Sequence, residues 1–178
     1  MNSLLLKRRI TSLLQGVPFL RWILSFLARK TSPYQLVGAV GAIFNEKGQV
    51  LIVEHVFRTD FPWGLPGGWI KIGEDPADTV RREVAEELAL EIEVRDLLIS
   101  SQVGLVSKST HPPHLGLAFY CRHISGDCRI GSEILSVEWV HPHEIKHELS
   151  TFQYKAIQLG KMAFERDHLF TNGLLKHG

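Results

Sequence analysis

Three glutamates near the middle of this 178-residue chain are spaced so that their carboxylates could act together. Glu83, Glu86 and Glu87 lie at positions i, i+3 and i+4, directly after Arg82. In an α-helix, where successive residues are rotated by about 100°, this spacing places all three on one face. Carboxylates this close repel one another, and a hard divalent cation, which takes oxygen ligands, would remove the repulsion. The pattern therefore favours a metal site, although a solvated acidic helix face has the same spacing.

The residues around the glutamates carry the signals of a helix start and of a buried helix face. Asp75 suits the N-cap, Pro76 suits the first helical position, and Asp78 lies in the first turn, where negative charge is favoured. Apolar residues recur at every fourth position and predict a core-facing stripe formed by Val80, Val84 and Leu88. A helix of this kind buries one face and presents its carboxylates on another.

Residues 68–90 resemble the Nudix box, the signature of the Nudix hydrolases: Gly-x5-Glu-x7-Arg-Glu-U-x-Glu-Glu-x-Gly-U, where U is a bulky aliphatic residue. The matching residues are Gly68, Glu74, Arg82, Glu83, Val84, Glu86, Glu87 and Leu90. Ala89 stands where the last glycine of the box is expected. That glycine ends the helix with a positive φ, at which alanine is strained, so we expect strain at Ala89 but no loss of a metal ligand.

The resemblance implies a Nudix-type α/β/α sandwich around a mixed β-sheet, and the order of the predicted elements fits this α+β fold. Apolar stretches bounded by turn residues predict strands over residues 35–44, 49–56, 69–72, 91–94, 97–105, 115–123 and 134–140. Residues 45–48 are predicted to form a hairpin turn and residues 64–68 a glycine-rich loop. A last helix is predicted over 142–148, over 152–165, or over both.

The resemblance also implies a role for each residue of the box. The metal ligands would be the backbone carbonyl of Gly67 and the carboxylates of Glu83, Glu86 and Glu87. Glu86 and Glu87 would be the main ligands, and Glu83 a ligand or a base. Arg82 would orient these carboxylates by a bidentate contact, with Glu74 as its partner. The expected cation is Mg²⁺, or Mn²⁺ in its place, because Mg²⁺ keeps several waters and takes few carboxylates.

Residues outside the box are weaker candidates, because each also suits an ordinary core or rim position. The general base of the family often lies on a later loop or strand, where Glu133 and Glu138 are available. Arg58 and Lys71 could contact phosphate or base, and Trp63 could stack on a nucleobase. Further residues of the same kind are His55, Phe57 and Phe61. We therefore predict five substrate-binding residues: Arg58, Trp63, Lys71, Glu133 and Glu138.

The sequence predicts the reaction but not the substrate. The predicted reaction is Mg²⁺-dependent hydrolysis of a pyrophosphate bond in a nucleoside diphosphate linked to another moiety, with a small molecule and not a nucleic acid as the partner. Positions that mark two substrate classes in the family hold Leu105 and Ser107 instead of proline and tyrosine. Two alternatives are a catalytically silent Nudix-fold module that senses a nucleotide and a membrane-peripheral hydrolase of a lipid-linked diphosphate. The three retained box glutamates favour the enzyme over the silent module.

Charge divides the chain into a leader and a domain. Residues 1–35 carry six basic residues and no acidic one, whereas the remainder has a net charge of −5. Within residues 4–30, the part before Pro18 has one apolar stripe opposite polar and basic residues, and Pro18 interrupts it. The run at 19–27 is apolar almost all round, but it is too short and too charged for a transmembrane span. We predict a basic helical leader at residues 1–33 and a Nudix domain at residues 34–178. The leader would lie on a membrane surface, pack on the domain or on a second copy, or act as a targeting segment. Only two cysteines are present, Cys121 and Cys128, which favours reduced thiols and a cytoplasmic protein, with peripheral membrane attachment left open.

Overall fold

A mixed β-sheet with a helix on each face forms the part of the chain that the computed structural model describes, residues 35–58, 60–104 and 113–174. The predicted leader at residues 1–33 lies outside these ranges. The strands are β1 (Val37–Phe44), β2 (Val50–His55), β3 (Trp63–Gly64), β4 (Gly67–Trp69), β5 (Glu91–Val103), β6 (His114–Ser125) and β7 (Ile134–Val140). The helices are α1 (Pro76–Leu88), between β4 and β5, and α2 (Thr151–Leu174), after β7.

Strand β1 lies at the centre of the sheet, in which the strand order is β3-β2-β1-β6-β5. It runs parallel to β6 along its whole length, from Val37 beside Leu115 to Phe44 beside Arg122. On its other edge, β1 pairs with β2 only at Phe44 and with β4 at its start, where Gly38 lies opposite Trp69. Strand β7 pairs with β2 along its whole length, from Val50 beside Val140 to His55 beside Ile134. The start of β1 therefore brings β4, and the helix that follows β4, against the middle of the sheet.

Two apolar clusters hold the helices on opposite faces of the sheet. The cluster under α1 combines helix residues with alternate residues of β1 and β2: Ala39, Ile43, Leu51, Val53, Val80, Val84 and Leu88. The cluster under α2 uses the other set of alternate residues: Ala42, Phe44, Val50, Ile52, Ala156 and Ile157. Because neighbouring strand residues point to opposite faces, one run of apolar residues supplies both clusters. The arrangement confirms the predicted α+β fold with an α/β/α sandwich.

Local signals gave the correct boundaries for some elements and failed for others. Strand β7 and helix α1 lie where predicted, and the hairpin turn at 45–48 is closed by hydrogen bonds between Asn45 and Gln49. The predicted loop at 64–68 instead contains the end of β3 and the first two residues of β4, because these short segments pair with distant strands. The strand predicted at 69–72 is wrong beyond Trp69, where β4 ends. The two strands predicted at 91–94 and 97–105 are one strand, β5, which ends at Val103 and shifts register at residues 91–92 and at residues 94–99.

Of the two segments predicted for the last helix, only the second is helical. Residues 142–148 form no helix, whereas residues 152–165 lie within α2. The first segment turns with a hydrogen bond from the Glu144 amide to the His141 carbonyl, and its Ile145, like Leu149 just after it, packs against the α2 cluster. A two-turn helix gains too few hydrogen bonds to offset the cost of nucleation, so packing decides its shape. Neither helix of the described ranges is both long and apolar enough to cross a membrane.

Candidate active site

Helix α1 is fixed in rotation by its start and by its apolar stripe. The Asp75 side chain accepts a hydrogen bond of 2.8 Å from the Ala77 amide, as expected of an N-cap. The stripe residues Val80, Val84 and Leu88 are fully buried. With that face in the core, the box glutamates are directed toward β4 and the cavity beside it. The predicted helix and its core-facing stripe are therefore confirmed.

Arg82 gathers three carboxylates around its guanidinium group. Its Nε and Nη2 atoms donate to the two oxygens of Glu74 at 2.7 and 3.0 Å, which is a bidentate contact. Its Nη1 donates to Glu83 at 2.7 Å and to Glu86 at 3.3 Å, and its Nη2 also donates to the Trp69 carbonyl at 3.4 Å. The hydrogen bonds from Arg82 lower the pKa of Glu74 to about 2. The predicted contact between Arg82 and Glu74 is present, and it ties the first turn of the box to the helix.

Glu87 differs from the other glutamates because it is buried. It is only 8 % exposed, and its Oε2 atom finds no hydrogen-bond partner among the described residues. Burial, followed by repulsion from Glu83, raises the pKa of Glu87 to about 7. A backbone hydrogen bond from Gly67 and the charge of Arg58 act in the opposite direction. An orphaned carboxylate oxygen at the bottom of a cavity suits a cation as its partner.

Arg58 is the positive group that faces this carboxylate. Burial lowers the pKa of Arg58 to about 10, while the charge of Glu87 partly offsets that effect. Its Nη1 atom is also buried and lacks a hydrogen-bond partner in the part of the chain that the structure describes. The two groups thus place one unsatisfied donor and one unsatisfied acceptor on the walls of the same cavity. The Glu87 carboxylate could bind a cation and the Arg58 guanidinium an anion, so the pair suits a ligand that carries both.

Two glycines let β4 approach the sheet and the helix closely. Gly67 has a φ of 145°, and a side chain there would overlap the Ala39 carbonyl of β1. A Cβ atom on Gly68 would overlap the carboxylate of Glu83. The glycine-rich segment therefore sets the distance between β4 and the acidic face of α1.

A cavity of about 1140 Å³ collects most of the predicted site residues. Eight of the predicted residues line it: Arg58, Gly67, Lys71, Arg82, Glu83, Glu86, Glu87 and Glu133. Glu74 is not among the lining residues, but it contacts two of them, because it accepts hydrogen bonds from the side chain of Arg82 and from the backbone amide of Lys71. The cavity also contains residues that were not singled out as substrate-binding, including Trp69, His114 and Phe152. Their approach depends on pairing between strands far apart in sequence, so only the position of Trp69 directly after the glycines gave a local signal.

Two predicted substrate residues lie away from this cavity. Trp63 stacks on the ring of His147, with centroids 3.8 Å apart and planes 16° from parallel. His147 in turn shares a hydrogen bond of 2.8 Å with Glu138. Neither Trp63 nor Glu138 is among the residues that line the cavity. Their predicted contacts with substrate are therefore not supported by their positions, and they stay predictions.

The residues at α1 fit a hydrated divalent cation better than a fully enclosed one. As the side chains stand, no group of three or more His, Cys, Asp or Glu residues converges on one point within the described ranges. Mg²⁺ needs only a few protein ligands, because it retains several waters. Glu87 offers an unpartnered oxygen beside the backbone of Gly67, and the exposed Glu86 lies one position away. The donor set consists of oxygen atoms, which agrees with Mg²⁺ or Mn²⁺.

Known proteins are similar to this chain in sequence. The family model described as NUDIX domain matches residues 35–159. A MutT-like protein from Streptomyces ambofaciens is 31 % identical over 118 residues, which cover 66 % of this chain and 71 % of that protein. The Xenopus laevis protein named nucleoside diphosphate-linked moiety X motif 6 is 32 % identical over 120 residues, 62 % of this chain and 52 % of that protein. This chain therefore spans about half the length of the second relative.

The three-dimensional comparison agrees with the sequence comparison. The NUDIX domain of Shewanella oneidensis NrtR, solved as a complex with ADP ribose, has a TM-score of 0.62 to this structure at 21 % identity. The match covers 79 % of this chain and 97 % of that one, which shows a common fold. The family match spans well over half of the chain, and the box residues occupy one helix beside one cavity. The chain belongs to the NUDIX domain family, and it is a hydrolase of the Nudix type.

Proposed function

We propose that this protein hydrolyses a pyrophosphate bond in a nucleoside diphosphate linked to another moiety, and that it requires Mg²⁺ or Mn²⁺. The observation that carries the proposal is the buried Glu87 carboxylate, whose Oε2 atom lacks a partner within the described ranges and faces a cavity with Glu83 and Arg58. A carboxylate in this position is unfavourable unless a cation joins it. The relative named for a nucleoside diphosphate-linked moiety supports the substrate class.

In this proposal, some box residues bind the cation and others keep the side chains of those ligands in position. Glu86 and Glu87 are the main side-chain ligands, the Gly67 carbonyl adds a third, and Glu83 is a further ligand or a base. The cation, when bound, neutralises the phosphate oxygens and lowers the pKa of a coordinated water. Arg82 keeps Glu83 in place through its 2.7 Å contact and is itself held by Glu74.

Other groups on the cavity wall act on the substrate and on the proton of the attacking water. Arg58 and Lys71 supply positive charge toward the phosphates, and Arg58 already has an unsatisfied donor, Nη1, within the described part of the chain. Glu133 is close enough to Glu87 to raise its pKa, so it is the better placed of the two candidate bases. Glu138 is engaged by His147 outside the cavity.

The first test is a hydrolysis assay of the purified protein with nucleoside triphosphates, ADP-ribose, nucleotide sugars, dinucleoside polyphosphates and lipid-linked diphosphates. We expect turnover that needs Mg²⁺ or Mn²⁺ and stops with EDTA. Glu86→Gln and Glu87→Gln should each lower kcat by orders of magnitude without unfolding the protein. Glu46→Gln, in the exposed turn between β1 and β2, is the matched control and should keep full activity.

Two results would contradict the proposal. Full activity of both box variants would show that the catalytic metal site lies elsewhere. Tight binding of a nucleotide with no hydrolysis under any of these conditions would make the protein a nucleotide-sensing module. If only the lipid-linked diphosphates were hydrolysed, the reaction would stand but the nucleotide as substrate would not.

A further inference from the structure

A side chain of α2 holds the backbone that leads into the box. Gln153, in the first turn of α2, accepts a hydrogen bond of 2.7 Å from the Leu65 amide through its Oε1 atom. Gln153 is 9 % exposed and Leu65 is fully buried, so this hydrogen bond forms away from water. An unsatisfied amide in the core is costly, so Leu65 depends on a residue 88 positions later in the chain.

Gly64, directly before Leu65, makes room for the side chain of Gln153. A Cβ atom on Gly64 would lie 2.1 Å from Oε1 and 2.6 Å from Nε2 of Gln153, far inside van der Waals contact. The φ of Gly64 lies outside the left-handed region, so the neighbouring amide group, and not the backbone conformation, requires glycine here. We name residues 64–67, which join β3 to β4, the crossing segment.

The crossing segment links the two helices through the sheet. The Leu65 side chain packs in the α2 cluster. The Pro66 carbonyl accepts a hydrogen bond of 2.9 Å from the Gly41 amide of β1. The Gly67 amide donates to the carboxylate of Glu87 on α1. Three consecutive residues thus contact α2, β1 and α1 in turn.

The crossing segment has little freedom to absorb a shift at Leu65. Pro66 has a fixed φ because of its ring. Gly67 lies so close to β1 that a Cβ atom there would be 2.2 Å from the Ala39 carbonyl oxygen. A displacement of the Leu65 amide therefore moves the Gly67 backbone, whose amide contacts Glu87 and whose carbonyl is a proposed metal ligand.

We propose that Gln153 is a positioning residue for the metal site: its hydrogen bond with the Leu65 amide holds the Gly67 backbone and, through it, the carboxylate of Glu87. The inference rests on the proposed function, because it takes Glu87 and the Gly67 carbonyl as metal ligands. It extends the residues that determine metal affinity from the box to the helix on the other face of the sheet. Gln153 also lines the cavity, so a direct contact with substrate is the alternative role that the experiment must separate.

The experiment measures the affinity of the full-length protein for Mn²⁺ without substrate, by electron paramagnetic resonance of the free ion. Gln153→Met removes the acceptor but keeps a side chain of similar length. Loss of a group that orients a metal ligand typically costs about 10–100-fold in metal affinity, so the Kd for Mn²⁺ should rise about tenfold or more. Gln153→Glu, which supplies an acceptor again, should restore most of the affinity. The kcat of hydrolysis should follow the same order.

The matched control weakens α2 far from the crossing segment. Phe164 stacks on Phe44 with ring centroids 5.6 Å apart, and it lies about 16 Å beyond Gln153 along the helix. Phe164→Leu should lower the urea midpoint of unfolding, but it should leave the Kd for Mn²⁺ unchanged. If Gln153→Met does not fold, Gly64→Ala takes its place, because the new methyl group displaces the Gln153 amide group and breaks the same hydrogen bond.

The inference is overturned if folded Gln153→Met or Gly64→Ala binds Mn²⁺ as tightly as the unaltered protein. It is also overturned if Phe164→Leu weakens Mn²⁺ binding equally, since a general loss of stability would then explain the effect. A higher KM with an unchanged Kd for Mn²⁺ would assign Gln153 to the substrate instead. Weaker Mn²⁺ binding by the variants of a protein that hydrolyses nothing would support the inference and refute the proposed function. Metal-dependent hydrolysis with the same Kd for Mn²⁺ in every variant would do the reverse.

Discussion

Burial of the Glu87 carboxylate destabilises the folded protein when no metal ion is bound. Its unpartnered oxygen and the repulsion from Glu83 both disfavour its charge, and Arg58 offsets only part of that cost. Replacing a buried charged group with an apolar residue of similar size often stabilises a protein, so stability alone does not explain a glutamate at this position. The glutamate is explained if its charge is compensated by a cation in the working enzyme. The structure thus links a local instability to the proposed chemistry.

This instability should appear as a pH dependence of folding in EDTA. The folded pKa of Glu87, about 7, exceeds the unfolded value of about 4.3, so the folded protein holds its proton to higher pH. The stabilising contribution is therefore present below the unfolded pKa and is lost as the pH rises through about 7. Relative to Glu87→Gln, the unaltered protein should lose about 2 kcal/mol of unfolding free energy between pH 5 and pH 8.

Urea unfolding of both proteins at the two pH values measures this difference. Titrations of groups that do not interact with Glu87 are common to both proteins and cancel. An equal gap between the proteins at pH 5 and pH 8 would show that burial does not perturb Glu87. Adding Mg²⁺ or Mn²⁺ at pH 8 should restore stability to the unaltered protein but much less to the variant.

At the scale of the element, helix α1 ends in a conformation that its sequence does not suit. Ala89 has φ 55° and ψ 29°, and its amide donates to the Ala85 carbonyl at 3.1 Å. It is the only residue other than glycine with a positive φ in the described ranges. The expected strain at Ala89 is therefore present. The box pattern predicted it because a glycine normally occupies this position.

Replacing this residue should stabilise the protein. Ala89→Gly should raise the free energy of unfolding by about 1 kcal/mol, because glycine adopts the left-handed conformation without steric strain. The matched control is Ala85→Gly, an exposed position one turn earlier, where glycine should lower stability by about 1 kcal/mol. Chemical denaturation measures both. Equal losses in the two variants would mean that the helix in solution continues through residue 89.

The contact between β4 and α1 should be more important for catalysis than for stability. In Gly68→Ala, the new methyl group displaces the carboxylate of Glu83, which can move because it is the end of a flexible side chain. We expect kcat to fall about tenfold or more, while the free energy of unfolding changes by less than about 1 kcal/mol. A double-mutant cycle with Glu83→Gln tests the route. Additive effects would show that Gly68 acts independently of Glu83.

Elements that depend on nearby residues were predictable, and those that depend on distant pairing were not. Asp75, Pro76 and the apolar stripe define α1 within a few residues of sequence, so its boundaries and its acidic face followed directly. Strand β4 exists because Gly67–Trp69 pairs with β1, roughly thirty residues earlier, and no local pattern reports that pairing. The stacking of Trp63 on His147 likewise depends on residues far apart in sequence, so no local pattern indicated it when Trp63 was predicted to stack on a nucleobase.

At the scale of the whole molecule, positive and negative charges are unevenly distributed along the chain. The first 35 residues carry six positive charges, and the rest of the chain carries a net charge of −5. Every residue of the box lies beyond this basic segment, as do the described residues that line the cavity and form the two apolar clusters. None of the proposed metal ligands belongs to this segment. We infer that it decides where the protein resides or with what it pairs.

Truncation before Thr31 tests this inference, with full-length protein as the reference. We expect the shortened protein to keep kcat, because all proposed metal ligands lie between Gly67 and Glu87. Its co-sedimentation with anionic vesicles and its elution in size exclusion are then compared with those of the full-length form. Membrane attachment would contribute about 1 kcal/mol per basic residue and would weaken as salt is added, since screening shortens the range of the attraction.

The two assays separate the alternatives for the leader. Salt-sensitive vesicle binding by the full-length form alone supports a surface helix on an anionic membrane. Dimerisation by the full-length form alone supports packing against a second copy. If the truncated protein does not fold, the basic segment is part of the domain core, and the inference that it acts only on location or pairing is wrong. A truncated protein that folds but is inactive would also contradict the inference. The basic segment would then be required for catalysis and not only for location or pairing.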